Sequence, residues 1–167
     1  TVASSHVVLE PATSGLARYV HWLNSLVTWA DIERHLYVES PVCHPGVVLR
    51  RSALAAVNGY RDLAWPEDYD LWLRVTSSYP VLYISEKLVV KHGGHQNQLS
   101  EKYWGMDRFR IQALENIILS GNLSDENLND AKQMLQEKTK IFSNGARKRG
   151  RTAEAEKCEQ RMEAILG

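Results

Sequence analysis

The chain has 167 residues, the length of one domain with a sizeable core. Twenty Lys and Arg balance twenty Asp and Glu, so no net field draws it toward nucleic acid or an anionic membrane surface. No apolar run approaches the ~20 residues that span a bilayer, and no secretory leader is visible.

Residues 5–9, Ser-His-Val-Val-Leu, predict a short strand, followed by turn residues over 11–15. Leu16, Tyr19, Val20, Leu23, Leu26 and Val27 recur at helical spacing and predict an amphipathic helix over 15–30. Asp31 then suits the N-cap of a short helix. Residues 47–50 read as a buried strand. Ser52 caps a short helix through Val57, which Asn58-Gly59 ends with a left-handed residue. Pro66 fits a first helical turn, where its missing N–H costs nothing, and it opens the run Glu67-Asp68-Tyr69-Asp70-Leu71-Trp72-Leu73-Arg74. Residues 81–84 and 88–91 predict two strands separated by a turn at Ser85-Glu86.

A helix follows over 103–119, with Gly121 beyond its end. Ser124-Asp125-Glu126 opens another, which carries Leu128, Ala131, Leu135, Ile141 and Phe142 along one side and breaks at Asn144-Gly145. Thr152 opens the last, with Ala155, Cys158, Met162 and Ile165 on a face. Residues 121–167 are thus expected to form a helical hairpin that docks on the domain before it. The cluster Arg147-Lys148-Arg149-Arg151 reads as a solvated loop between helices, or as a contact for an acidic lipid or nucleic acid. The two cysteines, Cys43 and Cys158, show no metal-ligand spacing; two reduced thiols in a cytosolic protein, or a disulfide, fit them.

The acidic helix is the densest chemical feature. Glu67 and Asp68 stand at the positive end of the helix dipole, which favours their charged forms. Leu71, Trp72, Leu73 and Val75 can face a core and hold the acids at the rim of a packed element. A fixed carboxylate beside aromatic walls suits a general base; an ordinary acidic first turn is the other reading. Two adjacent carboxylates repel, so at least one pKa should rise toward the range of a working base. Asp70 lies roughly 200° around the helix from Asp68 and is expected to pair with Arg74 at i+4.

Unlike segments stand in order around that helix. Upstream are His44-Pro45-Gly46-Val47-Val48-Leu49-Arg50-Arg51 and the turn Asn58-Gly59-Tyr60; downstream is Lys91-His92-Gly93-Gly94-His95. This order resembles the second half of family 2 glycosyltransferases with the GT-A fold. There a His-Pro strand ending in paired arginines leads through a short helix and a Gly-Tyr turn to a Glu-Asp-Tyr-Asp-Leu-Trp-Leu-Arg helix. The resemblance covers residues 1–118. It implies an α/β fold: a partial GT-A-like mixed sheet flanked by helices, with the C-terminal helical hairpin beyond it. The implied domains are an acceptor-side half over 1–120 and the hairpin extension over 121–167.

The chemistry implied is inverting transfer of a sugar from a nucleotide-sugar donor to the hydroxyl of a saccharide or lipid-linked acceptor. Its setting would be bacterial cell-surface polysaccharide biosynthesis, in the cytoplasm or at the inner membrane face. Carried over by position, Asp68 is the catalytic base and Glu67 orients it or touches the acceptor. Trp65 stacks on a sugar face or belongs to the core. His44 bonds donor or acceptor or is a core histidine. Arg50 and Arg51 alternate across a strand, one anchoring the acidic helix; Arg51 is a substrate-binding candidate. His92 and His95 contact the diphosphate or belong to a mobile polar loop, and His95 is a candidate metal ligand, better suited to Mn²⁺ than Mg²⁺.

Members of that family hold a divalent metal (Mn or Mg) with an Asp-x-Asp motif in an N-terminal nucleotide-binding half. No such pair stands at a strand end here, and no Gly-rich phosphate loop is present. The chain, which starts at Thr1 rather than methionine, therefore reads as an acceptor-side fragment or processed product that is inactive alone. The Gln-x-x-Arg-Trp pattern of processive synthases is also absent, which implies single-sugar transfer. The alternative is a non-catalytic carbohydrate- or protein-binding remnant of the same scaffold. Missing strands would leave an open edge and a bare apolar face, to be covered by the N-terminal half, by a homodimer partner or by the C-terminal helices.

Overall fold

The computed structural model describes residues 2–10, 14–62, 67–92 and 104–167. They form a mixed α/β fold in which helix predominates. The chain divides into two compact units. The first joins Thr1–Gly59 to Ser78–Lys102, and the second joins Tyr60–Ser77 to Tyr103–Gly167.

The first unit is built on a three-stranded sheet of β1 (Val2–Glu10), β2 (Val47–Leu49) and β3 (Val81–His92), in the order β2-β1-β3. Against β1, β2 runs antiparallel with Leu49 opposite Val2, and β3 runs parallel with Val81 opposite Val2. The sheet is thus mixed. β3 is continuous where the sequence predicts a turn at Ser85-Glu86. The register steps from Ser5 opposite Ile84 to His6 opposite Lys87, and again to Val7 opposite Val89. The polar pair bulges out of the ladder and pairing resumes beyond it.

β2 is shorter and more open than expected: it stops at Leu49, and Val48 is 76% exposed. Arg50 is the N-cap of α3 (Arg51–Ala56), so the two arginines do not alternate across a strand, and Ser52 lies inside the helix. The end of α3 follows the sequence, with Asn58 and Gly59 at φ of 60° and 63°. Val48 and Leu82 both register with Ala3 and so share one face of the sheet; Leu82 is 58% exposed.

α1 (Ser14–Ser25) is shorter than its apolar pattern, and Val27 is exposed. α2 (Trp29–His35) opens with a capping box: the Thr28 hydroxyl accepts the Asp31 N–H, and the Asp31 carboxylate accepts the Thr28 N–H at 3.0 Å. Thr28, not Asp31, is therefore the cap. Its hydroxyl also donates to Asp31 at 2.7 Å, and these bonds hold the Asp31 carboxyl below its ordinary range. Leu23 packs with Cys43 against Tyr19 and Trp22, and the Tyr83 hydroxyl of β3 donates to the Leu26 carbonyl at 2.9 Å.

The second unit is helical: α4 (Glu67–Thr76), α5 (Asp107–Leu119), α6 (Asp125–Arg147) and α7 (Thr152–Leu166). α5 starts later than its pattern because Gly105 takes a left-handed φ of 62°. Ser124 caps α6, its hydroxyl accepting the Asn127 N–H at 3.3 Å. α6 does not break at Asn144-Gly145 but runs on to Arg147. Its stripe of Ala131, Leu135, Phe142 and Ala146 is buried throughout, and that burial outweighs the ~1 kcal/mol cost of an interior glycine.

α6 and α7 form the expected hairpin. Arg147 donates to Glu159 across it at 2.7 Å, and Arg161 of α7 donates to Glu115 of α5 at 3.0 Å. Both cysteines are buried and neither forms a disulfide. Among the described residues, no helix is long and apolar enough to cross a membrane.

Candidate active site

α4 is buried around its whole circumference from Tyr69 to Val75, with Leu71 and Val75 fully enclosed. A helix enclosed on every side, with its buried Asp70 and Arg74 paired to each other, is fixed by packing. Its first turn is different: Glu67 and Asp68 are half-buried, at the end where free N–H groups and the dipole favour negative charge. One Asp68 oxygen accepts the Tyr69 N–H at 2.8 Å. The two acids thus stand at the rim of a rigid element, as their sequence context requires.

One turn further in, Asp70 is 1% exposed and holds two cations. Oδ2 accepts the Arg74 Nε at 2.9 Å, with Nη2 at 2.8 Å as a charge contact, and Oδ1 accepts the Arg61 Nη1 at 3.1 Å. The Arg74 partner is the one expected from i+4 spacing; Arg61 is not, because no local pattern links positions nine apart. Charge-assisted bonds of this kind are roughly twice as strong as neutral ones. They tie the segment before α4 to the helix.

Tyr60 precedes Arg61 in that segment. Burial pushes its phenol pKa up, and the negative fields of Asp68 and Glu67 push it further. Both effects favour the protonated phenol. Its signal in the sequence is the Gly59-Tyr60 turn. Carboxylates held at a helix start in this way can accept a hydrogen bond from an alcohol.

The remaining candidates lie elsewhere in the chain. His44, Arg51 and His92 belong to the first unit, Glu67 and Asp68 to the second. His44 is exposed and opens a three-residue 3₁₀ turn, His44–Gly46, in which the Gly46 N–H donates to the Cys43 carbonyl at 2.8 Å. It is therefore not a core histidine, and the chain turns there rather than extending. Arg51 is exposed in the first turn of α3. His92 closes β3 opposite Glu10. Trp65 and His95 fall outside the described residues. Among the described residues, no three His, Cys, Asp or Glu side chains converge as metal ligands.

No protein-family model and no solved structure matches the chain. Among known proteins, the amylovoran biosynthesis glycosyltransferase AmsE of Erwinia amylovora is 26% identical over 83 residues. The match takes in 49% of this chain and 31% of AmsE, so it spans under a third of that relative's length. It supports a relationship to glycosyltransferases.

Proposed function

We propose that the chain is the acceptor-side part of an inverting, family 2-type glycosyltransferase, with Asp68 as general base. The observation that carries this reading is a half-buried carboxylate fixed at the start of an otherwise buried helix. The mixed sheet is the acceptor-side portion of a GT-A-like sheet spanning the 1–120 domain. The face bearing Val48 and Leu82 meets the donor-binding half or a second copy.

In the proposed reaction the acceptor hydroxyl donates to Asp68. Its oxygen attacks the anomeric carbon of the donor sugar as the bond from that carbon to the nucleotide diphosphate breaks. The proton ends on Asp68 and the electron pair leaves with the diphosphate. Glu67 orients the acceptor, and His44, Arg51, Trp65, His92 and His95 are offered to the substrates. The described residues do not assemble a metal centre, and no step here depends on one. The name of the relative suggests a polysaccharide product.

The test is Asp68→Asn in a longer, active protein that includes the nucleotide-binding half. Turnover should fall at least ~100-fold with the fold retained. A variant with near-normal turnover would remove Asp68 from the role. Calorimetry with UDP and Mn²⁺ should give no heat with this chain and clear heat with the longer protein.

A further inference from the structure

We propose that the cavity between the start of α5 and the end of α6 binds a small organic anion, a carboxylate or phosphate carried on a flat apolar body. The cavity lies wholly within the second unit and has a volume of about 320 Å³, at the lower end for small-molecule sites. Trp104, Ile141 and Phe142 form its apolar wall, and Asp107 and Arg149 are its charged lining. Ile141 is 58% exposed and Phe142 8%, so the wall runs from the surface into the core.

The charge balance selects an anion. Asp107 is already engaged by Arg110 at 3.3 Å and Lys138 at 3.4 Å. Arg149 has no ion-pair partner among the described residues; its Nη1 donates to the Gly145 carbonyl at 2.8 Å, which leaves further guanidinium donors for a ligand. Arg151 lies 3.9 Å over the Trp104 ring and Arg108 5.3 Å from it. Arg151 also pairs with Glu154 at 3.2 Å. The lining itself carries Arg149 and an Asp107 whose charge Arg110 and Lys138 offset, and Arg108 and Arg151 stand against the Trp104 ring. A guanidinium fork matches planar carboxylate and phosphate oxygens.

Two glycines shape the site. Gly145 lies inside α6, where alanine is the better helix former. A Cβ there would come within 3.3 Å of the Arg149 Nη1, so the guanidinium would have to shift by a few tenths of an ångström. A Cβ on Gly105 would come within 3.3 Å of the Phe142 ring. Both positions line the cavity.

The whole chain would be titrated by NMR with benzoate, phenyl phosphate and benzyl alcohol at matched ionic strength. Saturable shifts of the Gly105 and Gly145 amides are expected with one or both anions and not with the alcohol. A response to benzoate alone assigns a carboxylate site, and one to phenyl phosphate alone a phosphate site. Arg149→Met should weaken binding at least about tenfold, and Gly145→Ala should weaken it with helix content retained. No saturable shift with either anion, an equal response to benzyl alcohol, or undiminished binding by Arg149→Met would overturn the proposal.

Discussion

Arg61 and Asp70 meet at 3.1 Å across nine positions of sequence, and through that bond the segment carrying Tyr60 is held against the helix that carries Asp68. Asp70 has no water to fall back on, since it is 1% exposed. Asp70→Asn would leave Arg74, itself 8% exposed, without its charge partner. Breaking a buried pair in this way costs on the order of 3 kcal/mol. Urea unfolding should register that loss; a change under ~1 kcal/mol would show the network to be dispensable.

Alkaline pH should act through Tyr83. Burial, and then the charge of Asp31, pushes its phenol up to about 12. An unfolded tyrosine ionises near ~10. Above that pH the unfolded chain releases a proton that the folded chain keeps. Stability from the neutral phenol is therefore complete below about pH 10 and is lost as pH rises toward 12. Tyr83→Phe should be less stable at neutral pH, having lost the bond to Leu26, and should lose stability less steeply across that alkaline window. Parallel slopes for the two proteins would count against this assignment.

Two leucines of α5 make an internal control for packing. Leu114 is completely buried and Leu119 is 69% exposed. Leu114→Ala should cost about 3 kcal/mol through lost burial and the cavity left behind. Leu119→Ala should change stability by about 0.5 kcal/mol or less. Thermal or urea melts of the pair would test the placement of the helix.

At the start of α2, Thr28→Ala should cost about 1 kcal/mol, because it removes the acceptor of the Asp31 N–H. Thr28→Ser keeps the hydroxyl and should retain most of that stability. Equal losses in the two variants would mean that the cap is not the source.

What the sequence discloses about this fold is local. Asn58-Gly59 announces its left-handed turn because a backbone preference of single residues decides it. Ser124 does the same for the start of α6. The misses arise where distant contacts override such preferences. Gly145 reads as a breaker, yet Phe142 and Ala146 continue a buried stripe past it. Ser85-Glu86 reads as a turn, yet β1 pairs on both sides of the pair and absorbs it as a bulge. Thr28 was legible: its spacing to Asp31 is that of a capping box, but Asp31 is itself a favoured cap residue and drew the assignment.

The site divides in the same way. Glu67, Asp68 and the Asp70–Arg74 pair follow from helical spacing. Arg61 does not, since its role depends on how a loop returns to the helix. The basic cluster is exposed, as a solvated reading implies. Nevertheless Arg147 pairs with Glu159 and Arg151 covers Trp104, contacts that no charge count reveals.

The position of β1 has a consequence for handling the protein. The strand nearest the N-terminus sits in the middle of the sheet, and β2 and β3 bond to it rather than to each other. Cleavage just after Glu10 would remove no outlying arm; it would withdraw the only strand to which the other two are hydrogen-bonded within the described sheet. Tags and protease sites are therefore better placed after α7.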